Sequence, residues 1–285
     1  MIGRPLSRHL LRRGYDVQVL VRRTPAGPNE VAWDPDGGRL DPTAIDGTHA
    51  VVNLGGAGVG DRRWTPAYKQ TILRSRVDGT ALIARTAAAV EQPPKRVLQA
   101  SAVGFYGDRG DEVLEETAHG GAGFLAHVVR QWENAAEPAR EAGVPVVHLR
   151  SGLVLTPRGG AAGRMLPLFR LGLGGRLGSG RQWWPWITLV DEVRAILHLL
   201  DSSLTGPVNL TGPEPARNAD VTRALAQALR RPAILPVPAV ALRLVLGEFA
   251  SDILASQRVT PAALAADGFS HRHRTIADAA HWLVS

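Results

Sequence analysis

A serine and a tyrosine stand just after a short apolar run in the middle of the chain. The run is Val97 to Ala100, and Ser101 and Tyr106 follow it in the segment Ser-Ala-Val-Gly-Phe-Tyr-Gly. A hydroxyl at the end of a buried strand can donate a hydrogen bond to a substrate carbonyl or hydroxyl, and a phenol can orient a substrate or act as an acid. We take Ser101 and Tyr106 as the candidate catalytic residues. A serine that caps a turn and a half-buried aromatic ring are the alternatives.

Helix and strand patterns alternate through the first part of the chain and would position these side chains. Apolar runs predict strands at residues 16–21, 50–54, 96–100 and 144–149, and helical patterns lie at 5–14, 65–90 and 123–142. Turn-forming residues between 25 and 47 predict a short hairpin around residues 31–40. This alternation predicts an α/β fold with a doubly wound parallel sheet.

The second half of the chain has a different pattern. Residues 161–180 are rich in Gly, Leu and Arg, and helical patterns dominate after Asn218. We expect a smaller, mostly helical C-terminal lobe over the carboxyl edge of the sheet, where open α/β sheets bind ligands. The predicted boundary separates residues 1–205 from residues 206–285.

Motifs placed along these elements resemble the extended, atypical short-chain dehydrogenase/reductase superfamily. More narrowly, the chain is similar to bacterial NAD-dependent epimerase/dehydratase-like proteins with a C-terminal domain of unknown function, some of them labelled cell-division inhibitors. The matching segments are 51–57 (VVNLGGA), 63–65 (RWT), 72–77 (ILRSRV), 101–107 (SAVGFYG), 131–133 (QWE), 149–155 (LRSGLVL), 174–180 (GGRLGSG), 186–187 (WI) and 268–269 (GF). The resemblance covers almost the whole chain and implies a Rossmann-type domain that binds a nicotinamide dinucleotide.

The usual proton donor of that superfamily is missing. Its members follow the serine with Tyr-x-x-x-Lys, but the last tyrosine here is Tyr106 and the last lysine is Lys95. With Glu133 as the register mark, the resemblance implies that Leu125 and Val129 replace the pair, and neither side chain can move a proton. Two hypotheses follow: a weak oxidoreductase or epimerase-like enzyme acting on a small carbonyl or hydroxyl compound, or a non-catalytic regulatory or interaction protein that keeps its cofactor.

The start of the family pattern is also incomplete. The resemblance implies an opening strand and a G-x-x-G-x-x-G turn, whereas this chain carries only Gly3, the last glycine of that turn. Such glycines let the backbone approach a pyrophosphate at a helix N-terminus, so we expect Gly3 to contact the cofactor. A reading frame begun too late predicts this truncated pattern, and degeneration of the motif is the alternative. As written, the sheet would lack a central strand.

Arg22 and Arg23 follow the strand predicted at residues 16–21. In a Rossmann-type fold this strand end meets the adenosine ribose, where an acid binds a 2′-hydroxyl and arginine accommodates a 2′-phosphate. The pair therefore predicts NADP rather than NAD as the cofactor. Two solvated arginines in an arginine-rich protein are the alternative.

Further cofactor contacts are expected at three other strand ends. Glycine there removes the Cβ that would block a close approach of the backbone to a ligand. The expected contacts are Leu54, Gly55, Gly56, Ala100, Ser151, Gly152, Leu153 and Val154. The resemblance implies that residues 151–154 pass under the nicotinamide. Ordinary strand-to-loop turns are the alternative.

Several other side chains have structural interpretations. We favour a surface acid for Glu133 over a carboxylate fixed in the pocket. The tryptophans of segment 183–186 would line a pocket or, as we prefer, form the seam between the lobes. Asp191 is expected to cap the helix that follows it. Thr188 stands where the family pattern often has histidine, and its role stays open.

Composition limits the possible partners. The net charge is +7, but only Lys69 and Lys95 among 33 basic residues are lysine, and the arginines are spread among acids, so nucleic acid is not expected. There is no cysteine, and His271 and His273 lack acidic companions, so no metal is expected. No apolar run approaches the roughly 18–20 residues that span a bilayer, and no signal-peptide core is present. We expect a cytoplasmic protein with a small-molecule substrate and no membrane partner.

Overall fold

Helices and strands alternate through the first half of the structure, a computed structural model that describes residues 1–285. The elements of this half are α1 (Gly3–Arg12), β1 (Val19–Val21), β2 (Glu30–Asp34), β3 (Arg39–Leu40), β4 (Val51–Asn53), α2 (Pro66–Ala89), β5 (Val97–Ala102), β6 (Val113–Leu114), α3 (Phe124–Asn134), α4 (Glu137–Glu141), β7 (Val146–Ser151) and β8 (Leu153–Leu155). Short 3-10 turns lie at Pro42–Ala44 and Val103–Tyr106.

Helices dominate the second half, as the sequence predicts. Its elements are α5 (Gly160–Arg170), β9 (Trp183–Trp184), β10 (Trp186–Thr188), α6 (Leu189–Leu199), β11 (Gly206–Leu210), β12 (Ala216–Arg217), α7 (Asn218–Leu229), α8 (Ala239–Leu246), α9 (Phe249–Leu254), β13 (Arg258–Val259), α10 (Ala262–Ala266) and α11 (Ile276–Val284). None of the helices is long and apolar enough to cross a bilayer.

Four parallel strands form the central sheet in the order β11-β7-β5-β4. On one face, Leu6 of α1 and Ile196 of α6 share a core with Leu98. On the other face, Ile83 of α2 packs in a separate core with Val97. Neighbouring residues of β5 enter different cores because side chains alternate between the two faces of a strand. The predicted doubly wound α/β fold is confirmed.

A second, three-stranded sheet lies apart from the first. β1 pairs with β2 in parallel, and β2 pairs with β3 in the predicted hairpin. No backbone ladder joins β1 to β4, so each of these strands is bonded on one side only.

The helix predicted over residues 123–142 is in fact two helices. α3 ends at Asn134, and α4 begins at Glu137 with Pro138 in its first turn. Proline has no N–H to bond to the carbonyl four residues earlier, and its ring collides with that carbonyl. Pro138 is tolerated in the first turn of a new helix, so the chain breaks just before it.

A tryptophan-centred core joins the C-terminal helices to the rest of the fold. Trp184 and Trp186 pack with Leu155 of β8, Leu225 of α7 and Leu283 of α11. This supports the preferred interpretation of these two residues as part of the seam. The strand β11 pairs with β7 in the central sheet, although its residues follow the predicted domain boundary at residue 205. That boundary stays a prediction.

The predicted cap of α6 is wrong. Thr188 caps the helix, since its Oγ1 accepts a hydrogen bond from the backbone N–H of Asp191 at 3.2 Å. Asp191 lies inside the first turn, and its buried carboxylate accepts from the backbone N–H groups of Arg272 at 2.7 Å and His273 at 2.9 Å. Asp191 therefore holds the C-terminal segment onto α6, and this also gives Thr188 a structural role.

Candidate functional site

Ser101 lies near the end of β5 on the face of the sheet that α3 covers. Its side chain is buried, and its Oγ donates a hydrogen bond to Oε1 of Glu133 at 2.6 Å. A hydroxyl engaged in this way has lone pairs left to accept a hydrogen bond from a ligand, but its proton is already used. The residue after it, Ala102, is the half-exposed end of the strand.

The carboxylate of Glu133 is the centre of a buried ion pair. The Nε and Nη2 atoms of Arg150 each donate to it at 2.9 Å, and only 12% of the Glu133 side chain and 5% of the Arg150 side chain are exposed. Burial alone would raise the pKa of Glu133, but the hydrogen bonds and charge of Arg150 outweigh it and hold that pKa below its ordinary value. The expectation of a surface acid at Glu133 is therefore wrong.

Tyr106 belongs to the same polar network. Its ring is fully buried, and its hydroxyl donates to Oδ1 of Asn209 at 2.7 Å and accepts from Nη1 of Arg150 at 3.1 Å. Burial raises the pKa of the phenol. As placed, the hydroxyl points into the protein and is fully hydrogen-bonded, so proton transfer to a ligand would require it to move. The predicted catalytic role of Tyr106 stays a prediction.

Apolar side chains stand where the resemblance places a catalytic tyrosine and lysine. A Cβ added at Gly104, in the turn after β5, would lie 3.4 Å from Cβ of Leu125 and 3.9 Å from Cγ2 of Val129. These two residues thus face the end of β5 from α3, and Val129 is buried. Neither contributes a titratable group at this position.

The glycine turn after β4 lies against a cation that the sequence analysis did not single out. Gly56 has a φ of +153°, and a Cβ there would lie 3.2 Å from Cζ of Arg76. The guanidinium of Arg76 donates to the carbonyls of Ala57 at 2.9 Å and Ile72 at 3.0 Å and stacks 5.0 Å from the Trp132 ring.

Arg76 forms no salt bridge with any carboxylate of the described chain, residues 1–285. Burial lowers its pKa to about 10. Charges taken out of water are normally paired, so an anion bound at the glycine turn would complete this arrangement. The residues present here fit the negatively charged part of a dinucleotide.

Arg22 and Arg23 lie at the end of β1 and line an open cavity of about 910 Å³. Each is paired on the surface, Arg22 with Asp36 and Arg23 with Glu30, the latter through two hydrogen bonds of 2.7 and 2.6 Å. Arg39 lines the same cavity. Exposed pairs of this kind contribute little to stability and can exchange partners, so the three guanidinium groups fit a phosphate in this cavity.

Ser151 and Val154 lie on the opposite side of the sheet from Ser101, whereas Leu153 packs against the tryptophan-centred core. The Oγ of Ser151 donates to Oε1 of Glu192 at 2.6 Å, and Oε2 of Glu192 has no hydrogen-bond partner. Glu192 is fully buried in α6, and this burial raises its pKa to about 7. A Cβ at Gly152 would clash with the carbonyl oxygen of Pro185, so Gly152 is required by close backbone packing.

The predicted site residues do not come together in one place. Gly3 begins α1 beside Leu54, since a Cβ at Gly3 would lie 4.0 Å from Cδ1 of Leu54. The catalytic candidates Ser101 and Tyr106 share one polar network near α3, whereas Ser151 and Val154 lie toward α1 and α6. The alternation of side chains along β5 puts Ala100 on the side opposite to Ser101. Arg22 and Arg23 stand on the separate small sheet. Three polar side chains next to these candidates, Arg76, Arg150 and Glu192, were not among the predicted site residues.

The fold and these strand ends define the class of the protein, an α/β protein of Rossmann type with its candidate site at the carboxyl ends of parallel strands. The model of the NAD dependent epimerase/dehydratase family matches residues 1–211, and a domain of unknown function (DUF1731) matches residues 237–283. The chain belongs to the NAD dependent epimerase/dehydratase family, as the resemblance predicted.

Individual relatives agree with this assignment. The chain is 44% identical over 281 residues to the epimerase family protein Mb2239 of Mycobacterium bovis, covering 98% of this chain and 93% of that protein. Human SDR39U1 (isoform 2), solved with NADPH, is 31% identical with a TM-score of 0.91, over 99% of this chain and 95% of that one. A nucleoside-diphosphate sugar epimerase from Corynebacterium glutamicum is 35% identical with a TM-score of 0.81, but this chain covers only 56% of its length.

Proposed function

We propose that the protein binds NADP(H) and is at most a weak oxidoreductase acting on a small carbonyl or hydroxyl compound. The observation that carries the proposal is Arg76, a half-buried guanidinium without a carboxylate partner beside the Gly55-Gly56 turn. Arg22 and Arg23 support the phosphorylated form of the cofactor, because arginine matches a 2′-phosphate. The NADPH in the human SDR39U1 structure also supports NADP(H) as the cofactor.

Bound NADPH would supply a hydride to a substrate carbonyl carbon. The protein's own part would be to bind and orient: Ser101, whose proton is held by Glu133, would accept a hydrogen bond from a substrate hydroxyl. Leu125 and Val129 would exclude water from one side but donate nothing. The proton that completes the product alcohol would come from solvent. Since a positioned general acid contributes typically about 10²–10⁴-fold, turnover without one would be slow.

The second candidate function is a non-catalytic, cofactor-bound regulatory or interaction protein. It is favoured by the full burial of Tyr106 and by the engagement of the Ser101 hydroxyl. Deuteride transfer from labelled NADPH to a panel of small aldehydes and ketones separates the two functions. Slow but measurable transfer supports the enzyme, and NADPH binding with no transfer to any compound supports the regulator. A small-molecule ligand, a cytoplasmic location and no nucleic-acid partner are part of both proposals.

NADPH is expected to bind roughly 10- to 100-fold more tightly than NADH, because a phosphate on arginines gains charge-assisted hydrogen bonds of about 1.5–3 kcal/mol. Calorimetric titration would measure both affinities, for this chain and for a form preceded by a strand and a Gly-x-x-Gly turn. The variant Arg22→Glu/Arg23→Glu should lose the preference, whereas Arg12→Glu/Arg13→Glu, exposed at the end of α1, should keep it. No binding of either nucleotide by either form would contradict the proposal.

Arg76→Met is expected to weaken NADPH binding roughly 10- to 100-fold, because the variant lacks the half-buried cation that would meet the anionic part of the cofactor. Arg76→Lys keeps the charge and should recover part of the affinity. The control is Arg74→Met, an exposed arginine on the same helix, which should bind as the parent does. If Arg76→Met binds NADPH as tightly as the Arg74→Met control, Arg76 has no part in cofactor binding.

A further inference from the structure

The exposed apolar side chains of this protein are concentrated in one region. Eight of the twelve large apolar residues that are exposed fall within residues 168–173 and 234–245. The most exposed of them form what we call the apolar patch: Leu171, Leu173, Ile234, Val240, Leu244 and Val245, each between 51% and 77% exposed. A concentration of this kind on a protein surface marks an interaction site.

The two segments of the patch lie side by side. The N–H of Leu235 donates to the carbonyl of Gly174 at 3.3 Å, and the N–H of Val237 donates to that of Arg176 at 2.9 Å. α5 leads directly into the first segment, and α8 follows directly from the second. Backbone hydrogen bonds therefore hold the two segments that carry the patch next to each other.

The unpaired charges along the patch are positive, and the first acid after it, Glu248, forms a salt bridge with Lys69. Arg170, Arg176, Arg230, Arg231 and Arg243 are exposed there, and none of them forms a salt bridge. The sequence has no Asp or Glu from residue 142 to residue 190, nor from 221 to 247. Several surface arginines elsewhere in the chain pair with acids, as Arg140 does with Glu137 and Arg223 with Asp220. A partner of this surface must therefore present both apolar groups and negative charges.

Two other occupants fit these observations less well. A second copy docked face to face would bring two sets of unpaired arginines into one interface without a carboxylate. A protein partner would be expected to use the aromatic anchors that dominate binding energy at protein interfaces, but the exposed apolar side chains here are all Leu, Ile and Val. Aliphatic side chains rimmed by arginine match the interface of an anionic bilayer, where the apolar groups enter the acyl boundary and the cations meet phosphates.

We propose that the apolar patch docks this protein on the surface of a bilayer rich in anionic phospholipids. The protein would lie on the membrane without spanning it. This inference is independent of the proposed function and replaces the expectation, made from sequence, that no membrane partner exists.

The test is flotation of the full chain with vesicles of phosphatidylglycerol and phosphatidylcholine in equal parts, beside vesicles of phosphatidylcholine alone. Binding is expected only to the anionic vesicles and should fall at high salt, which screens the arginines. Arg170→Gln/Arg231→Gln/Arg243→Gln should weaken partitioning roughly a hundredfold, since each basic residue near an anionic surface contributes about fivefold. Leu171→Asp/Leu244→Asp should weaken it at least about tenfold through lost apolar burial.

Matched controls carry the same changes elsewhere on the surface. Arg8→Gln/Arg12→Gln/Arg13→Gln removes as much charge, and Leu11→Asp/Val113→Asp alters exposed apolar residues outside the patch. Both controls should float as the parent does. No flotation with anionic vesicles overturns the proposal, and so does an equal loss in the patch and control variants, which would mean attraction by net charge alone. A dimer in sedimentation velocity that the leucine variant abolishes, with no vesicle binding, would assign the patch to a second copy.

Discussion

Arg150→Met is expected to lower the free energy of unfolding by about 3–5 kcal/mol, because it leaves the Glu133 carboxylate buried without its partner. The same change removes a hydrogen bond to the Tyr106 hydroxyl. Urea denaturation at neutral pH would measure the loss as a lower midpoint with an unchanged slope. Glu133→Gln, which keeps the shape of the side chain, gives a second measurement if Arg150→Met does not fold.

The control for this prediction is an exposed pair of the same residue types. Arg140 and Glu137 form a salt bridge with about half of each side chain exposed, and Arg140→Met should change stability by less than about 1 kcal/mol. The double variant Glu133→Gln/Arg150→Met should recover much of the loss, since no buried charge remains unpaired. Equal effects at Arg150 and Arg140 would mean that the buried pair is not a stabilising element of the site.

The free energy of unfolding of the parent is expected to fall as the pH rises from about 4.5 to 7, and Glu192→Gln should abolish this fall. The folded protein keeps the Glu192 proton up to a pKa of about 7, whereas the unfolded chain releases it near the ordinary value of 4.5. Between these values the unfolded chain binds fewer protons, so stability falls as pH rises and is constant above about pH 7. At 1.36 kcal/mol for each pKa unit, the contribution is about 3 kcal/mol.

The measurement is the free energy of unfolding of the parent and of Glu192→Gln at a series of pH values, since their difference cancels every other titrating group. The difference should favour the variant by about 3 kcal/mol more at pH 8 than at pH 4. Glu141→Gln, at an exposed acid, should show no such trend. A flat difference for Glu192→Gln would mean that the carboxyl is already ionised in the folded protein at neutral pH.

The core of the fold could be predicted from sequence, and the polar network could not. Apolar runs of four or more residues identify the strands of the central sheet whatever they pack against. The Glu133–Arg150 pair depends instead on how α3 lies across β7. One signal was present: Glu133 follows the buried residues Ala126 and Val129 by seven and four positions, and this spacing sets it on the same helix face.

Four further residues show why the burial of polar groups cannot be predicted from sequence. Tyr106 is held by Asn209, which lies 103 residues later on β11, and no local pattern reports that contact. Asp191 and Glu192 stand together at the start of α6, where acids favour the helix dipole and are normally solvated. Contacts distant in sequence bury both groups, since Glu192 meets Ser151 of the sheet and Asp191 meets the backbone of Arg272 and His273. Arg76 likewise lies within a long helix whose arginines look alike in sequence.

The division of the strands into two sheets has a consequence for local stability. β5 and β7 are hydrogen-bonded on both sides and are expected to exchange their amide hydrogens only when the whole domain unfolds. β1, β2 and β3 share no ladder with them and can open as a separate cooperative unit. Arg22 and Arg23 stand on that unit, so a phosphate bound there would stabilise its closed form, and the measured affinity would include the free energy of closing it.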